Sequence, residues 1–388
     1  MASFYRMRNG VKNYAWGSRT ALNELFGVPN PDEQPQAEIW MGAHPAGCSE
    51  VEVGAFSVSL QETITKSPET VLGKRTMERF GQLPFLLKIL AAKNALSLQV
   101  HPDKRQAEEG YARQGDRAGE DYNDANHKPE LVYAITPFMA MNGFRPWQEI
   151  VNHFLRLNSP ELMPALAEFR HNLNGEGFKH FFVNLIQLAP QEKNNVLRQL
   201  NESLQAGGFV HLQEFLIRLQ RDFPGDIGIL APLFLHCITL EPGEAMFLRA
   251  GTLHAYVYGT AVEVMACSDN VLRAGLTPKK INLPELVKCT VFSETQEHNL
   301  KLVPDIAGNE RHYHVPVEDF RFSVIENCQQ KRIEVVSAQI LLVLEGYTTL
   351  RDTYGEEMTL RVGQSVFIPA QTEAYFLSQG GQCCLIQC

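Results

Sequence analysis

Residues 242–256 read PGEAMFLRAGTLHAY, and residues 362–376 read VGQSVFIPAQTEAYF. A shift of 120 positions lays Gly243 on Gly363, Phe247 on Phe367, Ala250 on Ala370 and Thr252 on Thr372. Each copy is a glycine turn, a short apolar run, a second turn and the start of another apolar run. Short apolar runs bounded by turn residues are read as β-strands. The echo therefore predicts two related β-barrels in one chain. His254 of the first copy falls opposite Ala374 of the second, so the second barrel has lost a polar residue that the first keeps.

The surrounding sequence extends this pattern. From about residue 232 onward, AVEVMAC, ILLVLEGYTTL, QSVFIPA and CCLIQC are apolar or alternating runs with turns between them. This is the pattern of an antiparallel sandwich or barrel. Residues 1–145 also look β-rich, with LPFLLKILAA and LSLQV set between Gly, Pro and Asp turns. Between the two lies a different texture. RPWQEIVNHFLRL, SPELMPALAEFRHNL, FKHFFVNLIQL, APQEKNNVLRQLNESLQ and HLQEFLIRLQRDF space their apolar residues for helices. Ser159-Pro160 and Ala189-Pro190 place proline where a helix starts. The expected fold is mainly β with a helical insertion. One barrel spans 1–145 and 229–300, helices fill 146–228, and a second barrel occupies 301–388.

Composition narrows the function. The 388 residues are 44% hydrophobic and 20% charged, ordinary for a globular protein. A formal net charge of −9 argues against non-specific nucleic-acid binding and against a membrane surface, both of which call for basic patches. No run reaches the roughly 20 apolar residues of a spanning helix. The N-terminal stretch has no apolar segment of signal-peptide length. Eight cysteines without CxxC spacing point to reduced thiols and a cytoplasmic location rather than a disulfide framework or a Cys-rich zinc site.

The chemistry centres on SLQVHPDK, residues 97–104. Leu98 and Val100 alternate with Gln99 and His101, so the amide and the imidazole share one face of a strand. A lone histidine there is ordinarily a hydrogen-bonded core residue, but three other stretches change the weighting. In YNDANHKPEL (122–131), Pro129 forces extended backbone, which turns Lys128 and Glu130 the same way and His127 the other. In FLRAGTLHAYVYGTAVEVMACSDN (247–270), His254 and Tyr256 are two apart, and Glu263 sits in an apolar strand where a carboxylate needs a partner. In NVLRAGLTPKK (270–280), Arg273, Lys279 and Lys280 lie on a bent loop, which is either a solvated surface or a phosphate site. Gln99, His101, Glu130 and His254 together offer two imidazoles, one carboxylate and one amide oxygen. That donor set suits Zn, Mn, Fe or Co, and its single charged ligand leaves a metal strongly Lewis acidic. A neutral Lys128 beside such a cation would be a usable base.

With NYAWGS, EIWMGAHP, LPFLLKIL, LSLQVHPDK, YNDANHKPEL, GTLHAY and SDNVLRAGLTPK in this order, the chain resembles the type I phosphomannose isomerases, zinc enzymes of the cupin superfamily. The resemblance covers essentially the whole chain. It implies one Zn2+ per chain on Gln99, His101, Glu130 and His254. It also implies catalytic roles for Arg273, Lys128 and Asp269, phosphate contacts from Lys88, Ser97 and Lys279, and pocket walls at Trp16 and Tyr256, with Glu263 a further pocket residue. The implied reaction is the reversible aldose–ketose isomerisation of mannose 6-phosphate and fructose 6-phosphate through an enediol or enediolate. That reaction would feed mannose use or GDP-mannose synthesis. The base is open among Lys128, His127, Asp269 and a zinc-bound water, with His127 ranked lower. The resemblance also implies a catalytic cupin (jelly-roll) barrel at 1–145 and 229–300, an inserted helical domain, and a C-terminal cupin-like barrel without metal, in agreement with the echo. The charged stretch RQAEEGYARQGDRAGEDY is expected to be a mobile, variable loop. A monomer acting on a small phosphosugar, with no nucleic-acid or membrane partner, is expected. Two rivals remain from the residues: a cupin metal-dependent oxygenase, since two His and a carboxylate also hold iron, and an inactive cupin that only binds sugar phosphate.

Overall fold

The structure, a computed structural model, describes residues 2–115 and 121–388. Most strands fall into two large antiparallel sheets of ten strands each, whose pairings form open paths rather than closed rings among the described residues. One sheet carries the candidate site. Its central strand, His254–Ala266, pairs along its first half with Phe138–Phe144 and along its second half with both Phe85–Ala92 and Glu130–Ala134. Gly259 lies between the two halves at φ 117, and a Cβ there would meet the Pro137 carbonyl at 2.5 Å. Only glycine accepts both the backbone angle and the close approach.

Alternation gives this sheet two different faces. Ile39, Leu87, Ile89, Leu131, Tyr133, Val262 and Val264 point one way and pack against Tyr5, Tyr313, Phe322, Ile340, Phe367 and Ile386 of the other sheet. Glu38, Trp40, Lys88, Glu130 and Glu263 point the other way and line a cavity. The apolar interface between the two sheets thus holds the polar face outward, toward the cavity. Tyr5–Arg8, at the beginning of the chain, pairs antiparallel with Ser365–Ile368 near its end.

The echoed stretches fold alike. Ala245–Leu248 and Ser365–Ile368 are strands 120 positions apart, and the strands His254–Ala266 and Ala374–Gln387 begin at the same spacing. Gly243 and Gly363 open the two units at φ 90 and 79. Ala374 occupies the place of His254 in the second unit.

Five α-helices, Trp147–Leu157, Met163–His171, Gly175–Ile186, Pro190–Gln205 and Gln213–Asp222, follow the helical spacing in the sequence. Their apolar faces meet in one core that includes Phe154, Phe169, Phe178 and Phe182, together with Leu98, Val100, Leu272 and Leu276. The helices therefore cover the apolar side of the strand carrying Gln99. Burying Leu98 and Val100 in this way contributes roughly 1.5–3 kcal/mol each.

The first 145 residues are less purely β than their sequence suggests. Leu60–Lys66, Pro68–Leu72 and Lys74–Phe80 are short helices, with Pro68 at a helix start and Gly81 in the left-handed conformation closing the last. The expectation of a loop after His101 is also corrected. Lys104–Gln114 is an α-helix started by a reciprocal capping box between Asp103 and Gln106. Only Ala107 and Gly110 of that helix are buried, so it has no apolar stripe to betray it in the sequence. The stretch GDRAGED runs into residues 116–120, which lie outside the described part of the chain. All eight cysteines are free thiols, and no helix among the described residues is long and apolar enough to cross a membrane.

Candidate metal centre and active-site pocket

The strand Leu98–Val100 is three residues long and sits between two others. Gln99 faces His254 across one side and Arg273 across the other. Pro102 ends the pairing, and His101 continues on the same face as Gln99. Glu130 begins the strand Glu130–Ala134 and reaches the same point from the neighbouring ladder. These registers gather His101, Glu130 and His254, each 1% exposed, so that their ligand atoms all lie within 4.8 Å of one another.

The contacts inside the cluster define its chemistry. His101 Nε2 is 3.3 Å from Glu130 Oε1, and His254 Nε2 is 3.4 Å from Glu130 Oε2. Both imidazoles are oriented from behind. His101 Nδ1–H donates to the Asn270 carbonyl at 2.6 Å, and His254 Nδ1–H donates to the Thr252 carbonyl at 2.9 Å. A carbonyl can only accept, so Nδ1 carries the proton in each ring and Nε2 presents a lone pair. This backbone anchoring is the outer-shell arrangement of metal-binding histidines. Burial pushes His101 down to about 4, so its ring is neutral near pH 7. Burial alone would raise the Glu130 carboxyl, but Lys128 and the two histidines outweigh it and hold the group well below the ordinary carboxylate range.

A metal ion fits this arrangement. His101 Nε2 is a fully buried polar atom without a hydrogen-bond partner, which a folded protein rarely tolerates. A tetrahedral zinc with arms of about 2.1 Å has ligand–ligand edges of about 3.4 Å, close to the two His–Glu distances. Gln99 lies at the same point, its Nε2 3.4 Å from His254 Nε2 and its Oε1 accepting from the Ser97 hydroxyl at 3.2 Å. A half-turn of that amide presents Oε1 to the cluster. Ser97 keeps a hydrogen bond after the turn, because a hydroxyl accepts as readily as it donates.

Around the cluster runs a row of charge. Trp40, Lys88, Glu263 and Val132 stand opposite one another across four strands. Lys88 Nζ is 3.2 Å from Glu263 Oε2 and 4.9 Å from the centre of the Trp40 ring. Burial works against the Lys88 charge, but Glu38, Glu263 and Glu130 outweigh it and raise the ammonium above its ordinary value. Burial raises Glu263, helped by the nearby Glu130 charge and opposed by Lys88. The Tyr256 hydroxyl lies 2.8 Å from Glu263 and 3.1 Å from Glu130, and burial holds its proton on. Lys128 Nζ is 3.1 Å from Glu130 Oε1, on the side the extended Lys-Pro-Glu backbone requires.

These groups open into one cavity of about 620 Å³. Its wall also holds Trp16, Ser97, Asp269, Arg273 and Lys279. Gln99, Glu130, Lys128, Tyr256 and Glu263 line the cavity too, while His101 and His254 sit buried beside Gln99 and Glu130, and Lys280 and His127 are not part of the wall. Arg273 is half-buried, its guanidinium lowered by burial, and it forms no ion pair with a carboxylate among the described residues. Lys279 is exposed at the rim. Asp269 Oδ2 is 3.5 Å from His44 Nε2. His127 points away from the cavity, its Nε2 3.0 Å from both Asp319 oxygens.

Sequence reasoning missed three contributors. Asn270, 0% exposed, supplies the carbonyl that orients His101, while its side chain accepts from the Asn123 amide at 2.6 Å and donates to the Asn126 carbonyl at 2.8 Å. It lies inside the SDN motif, where only Asp269 drew attention. Trp40 and Glu38 line the cavity, and the Trp40 indole N–H donates to Glu38. Both lie in the EIWMGAHP stretch, where the alternation of Glu38 with Ile39 was the available signal.

Comparison with known proteins agrees with this geometry. Residues 4–147 match the family model of the phosphomannose isomerase type I catalytic domain, and residues 309–387 match that of the mannose-6-phosphate isomerase cupin domain. The chain is 44% identical to the mannose-6-phosphate isomerase of Escherichia coli (strain K12) over 94% of both sequences. It is 33% identical to that of Homo sapiens over 87% of this chain and 86% of the other. It superposes with a TM-score of 0.95, at 41% identity and covering 100% of this chain and 99% of the other, on a variant of phosphomannose isomerase from Salmonella typhimurium and on a zinc-bound mannose 6-phosphate isomerase.

Proposed function

The chain belongs to the type I phosphomannose isomerase family, and from that premise we propose that it interconverts mannose 6-phosphate and fructose 6-phosphate with one zinc ion held by Gln99, His101, Glu130 and His254. The observation that carries this reading is the buried His101–Glu130–His254 cluster, with its orphaned nitrogen, beside the cavity that Arg273 also lines. The family assignment leaves the oxygenase and binding-only readings without support of their own.

Isomerisation moves a proton between C2 and C1 through an enediol or enediolate. It needs a base, positive charge at O1 and O2, and an anchor for the phosphate. Bound zinc supplies Lewis acidity that polarises a sugar hydroxyl or carbonyl. The protein's own groups do the rest. Arg273, across the ladder from Gln99, brings its charge to the developing enediolate. Lys128 and Asp269 stand on the cavity wall as the groups that take and return the proton. Ser97 and Lys279 anchor the phosphate at the rim. Lys88, already paired with Glu263, adds positive charge deeper in the cavity and contributes to anchoring as the third member of that set. Trp16, stacked on Tyr14 with ring centres 5.9 Å apart, and Tyr256 wall the sugar from water.

We read the protein as a cytoplasmic monomer acting on a small phosphosugar, without nucleic-acid or membrane partners. The net charge of −9 speaks against nucleic-acid and membrane partners, and size-exclusion chromatography with light scattering tests the monomer. The deciding experiment for the function is a coupled assay of fructose 6-phosphate formation from mannose 6-phosphate, before and after chelation and with zinc restored. Turnover that chelation abolishes and zinc returns supports the reading. No turnover by zinc-replete protein refutes the substrate.

A further inference from the structure

Beyond the groups that line the cavity, we propose that Asp226 is a positioning residue that sets the protein's affinity for the phosphate of its substrate by fixing the backbone of the loop leading to Lys279. The proposal rests on the isomerase reading for the identity of the substrate and for the placing of its phosphate at Ser97 and Lys279. Asp226 lies four residues beyond the last helix of the helical segment and does not itself line the cavity. Its Oδ1 accepts from the Gly228 amide at 2.7 Å and from the Leu276 amide at 2.9 Å, and its Oδ2 accepts from the Thr277 amide at 3.2 Å. Thr277 passes the restraint on, since its Oγ1 accepts from the Lys279 amide at 3.2 Å.

Two features show that this seam is built. Leu276 is held at φ 52, a left-handed conformation unfavourable for a side chain of that size. Such a residue stays there only where its surroundings over-determine it, and the Asp226 carboxylate on its amide is one such constraint. The two segments also touch through glycines. A Cβ on Gly228 would lie 2.8 Å from the Leu276 nitrogen, and one on Gly275 would lie 3.0 Å from the Gly228 Cα. The helical segment is therefore pressed directly onto the loop, with Asp226 as the polar clasp.

Asp222, four residues earlier, does the same for the neighbouring segment. Its Oδ2 accepts from the Ala95 amide at 2.8 Å, fixing the turn into Ser97, while Arg221 balances its charge at 2.7 Å. The two aspartates thus hold the two backbones that carry Ser97 and Lys279. Arg273 is secured separately, because its strand Leu272–Gly275 is paired with Leu98–Val100. Loosening Asp226 should therefore disturb phosphate affinity more than turnover.

The test uses the zinc-loaded full-length enzyme and its Asp226→Ala and Asp226→Asn variants. The readouts are KM and kcat for mannose 6-phosphate, the inhibition constant of inorganic phosphate, zinc content, and direct phosphate binding by calorimetry. Asp226→Ala should raise KM and the phosphate inhibition constant together by about tenfold or more, the worth of lost charge-assisted hydrogen bonds. kcat should stay within about threefold and zinc content should not change. Asp226→Asn keeps an oxygen for Gly228 and Leu276 and should recover most of the affinity. An unchanged phosphate constant, or a fall in kcat and zinc content without a change in phosphate affinity, overturns the proposal. Should Asp226→Ala not fold, Asp226→Asn must still weaken phosphate by about threefold, from the lost charge and the lost Thr277 contact, and an unchanged value overturns it. Failure of the wild type to turn over mannose 6-phosphate would refute the substrate reading, and calorimetric phosphate binding would still decide the role of Asp226.

Discussion

Replacing Lys88 with methionine removes a buried cation while keeping most of the side-chain volume. Lys88 and Glu263 have side chains 7% and 3% exposed and sit 3.2 Å apart. Breaking a buried pair by removing one partner costs about 3–5 kcal/mol, because the other charge is left without compensation. Glu263 can escape part of that penalty by taking a proton. Its carboxyl is already raised by burial, with the nearby Glu130 charge in support and Lys88 pulling the other way. Without Lys88 it must rise further. An acid whose folded value lies above its unfolded value of about 4.3 binds the proton more tightly when folded. Stability then falls as pH increases from the unfolded value through the folded one, by up to about 1.4 kcal/mol per pH unit. The deficit of Lys88→Met relative to wild type should therefore be small near about pH 5 and reach the 3–5 kcal/mol range near about pH 8. Lys88→Met/Glu263→Gln, which removes both charges, should recover most of the loss and flatten its pH dependence. Urea unfolding of all three proteins, followed by tryptophan fluorescence with Trp40 adjoining the pair, measures this. An equal deficit at both pH values, or a double variant no more stable than the single one, would refute the reasoning.

Arg273→Ala should lower kcat by about a hundredfold or more, the scale of one lost transition-state charge contact, with zinc content unchanged by elemental analysis. His101→Ala and His254→Ala should instead lose the metal, and purified protein should carry far less than one zinc per chain. Asn270→Ala keeps the carbonyl that orients His101 but strips the side-chain contacts around it. Zinc affinity measured by chelator competition should fall about 10- to 100-fold. Lys279→Ala should raise KM for mannose 6-phosphate with little change in kcat, and equal KM values would remove Lys279 from the phosphate site.

What the sequence disclosed followed physical period. The alternation of Leu98 and Val100 with Gln99 and His101 located one polar face, and Pro129 turned Lys128 and Glu130 together. The echo of residues 242–256 in 362–376 carried the duplicated β units into the structure strand for strand. What stayed hidden lacked a period or was decided across the fold. The helix Lys104–Gln114 has almost no buried residues, so its charge read as a loop. The pairing of Lys88 with Glu263 depends on the register of strands 175 positions apart. Asn270 orients His101 through a main-chain carbonyl, a role that no side-chain pattern encodes.

The strand Tyr5–Arg8 sets a schedule for the growing chain. Tyr5 finds its partner at Phe367 and Arg6 finds its own at Val366. At a ribosomal rate of about 5–20 residues per second, the first strand waits roughly 20–70 s for that partner to be synthesised. Until then Phe4, buried in the finished protein among Ile325, Val366 and Tyr375, lacks the strands that cover it. The Met7–Arg8 end can pair early with Glu50 and Val51, but the Tyr5–Arg6 end is among the last parts to find its place, and a ribosome that stalls before residue 365 leaves an otherwise extensive nascent protein with that end unpaired.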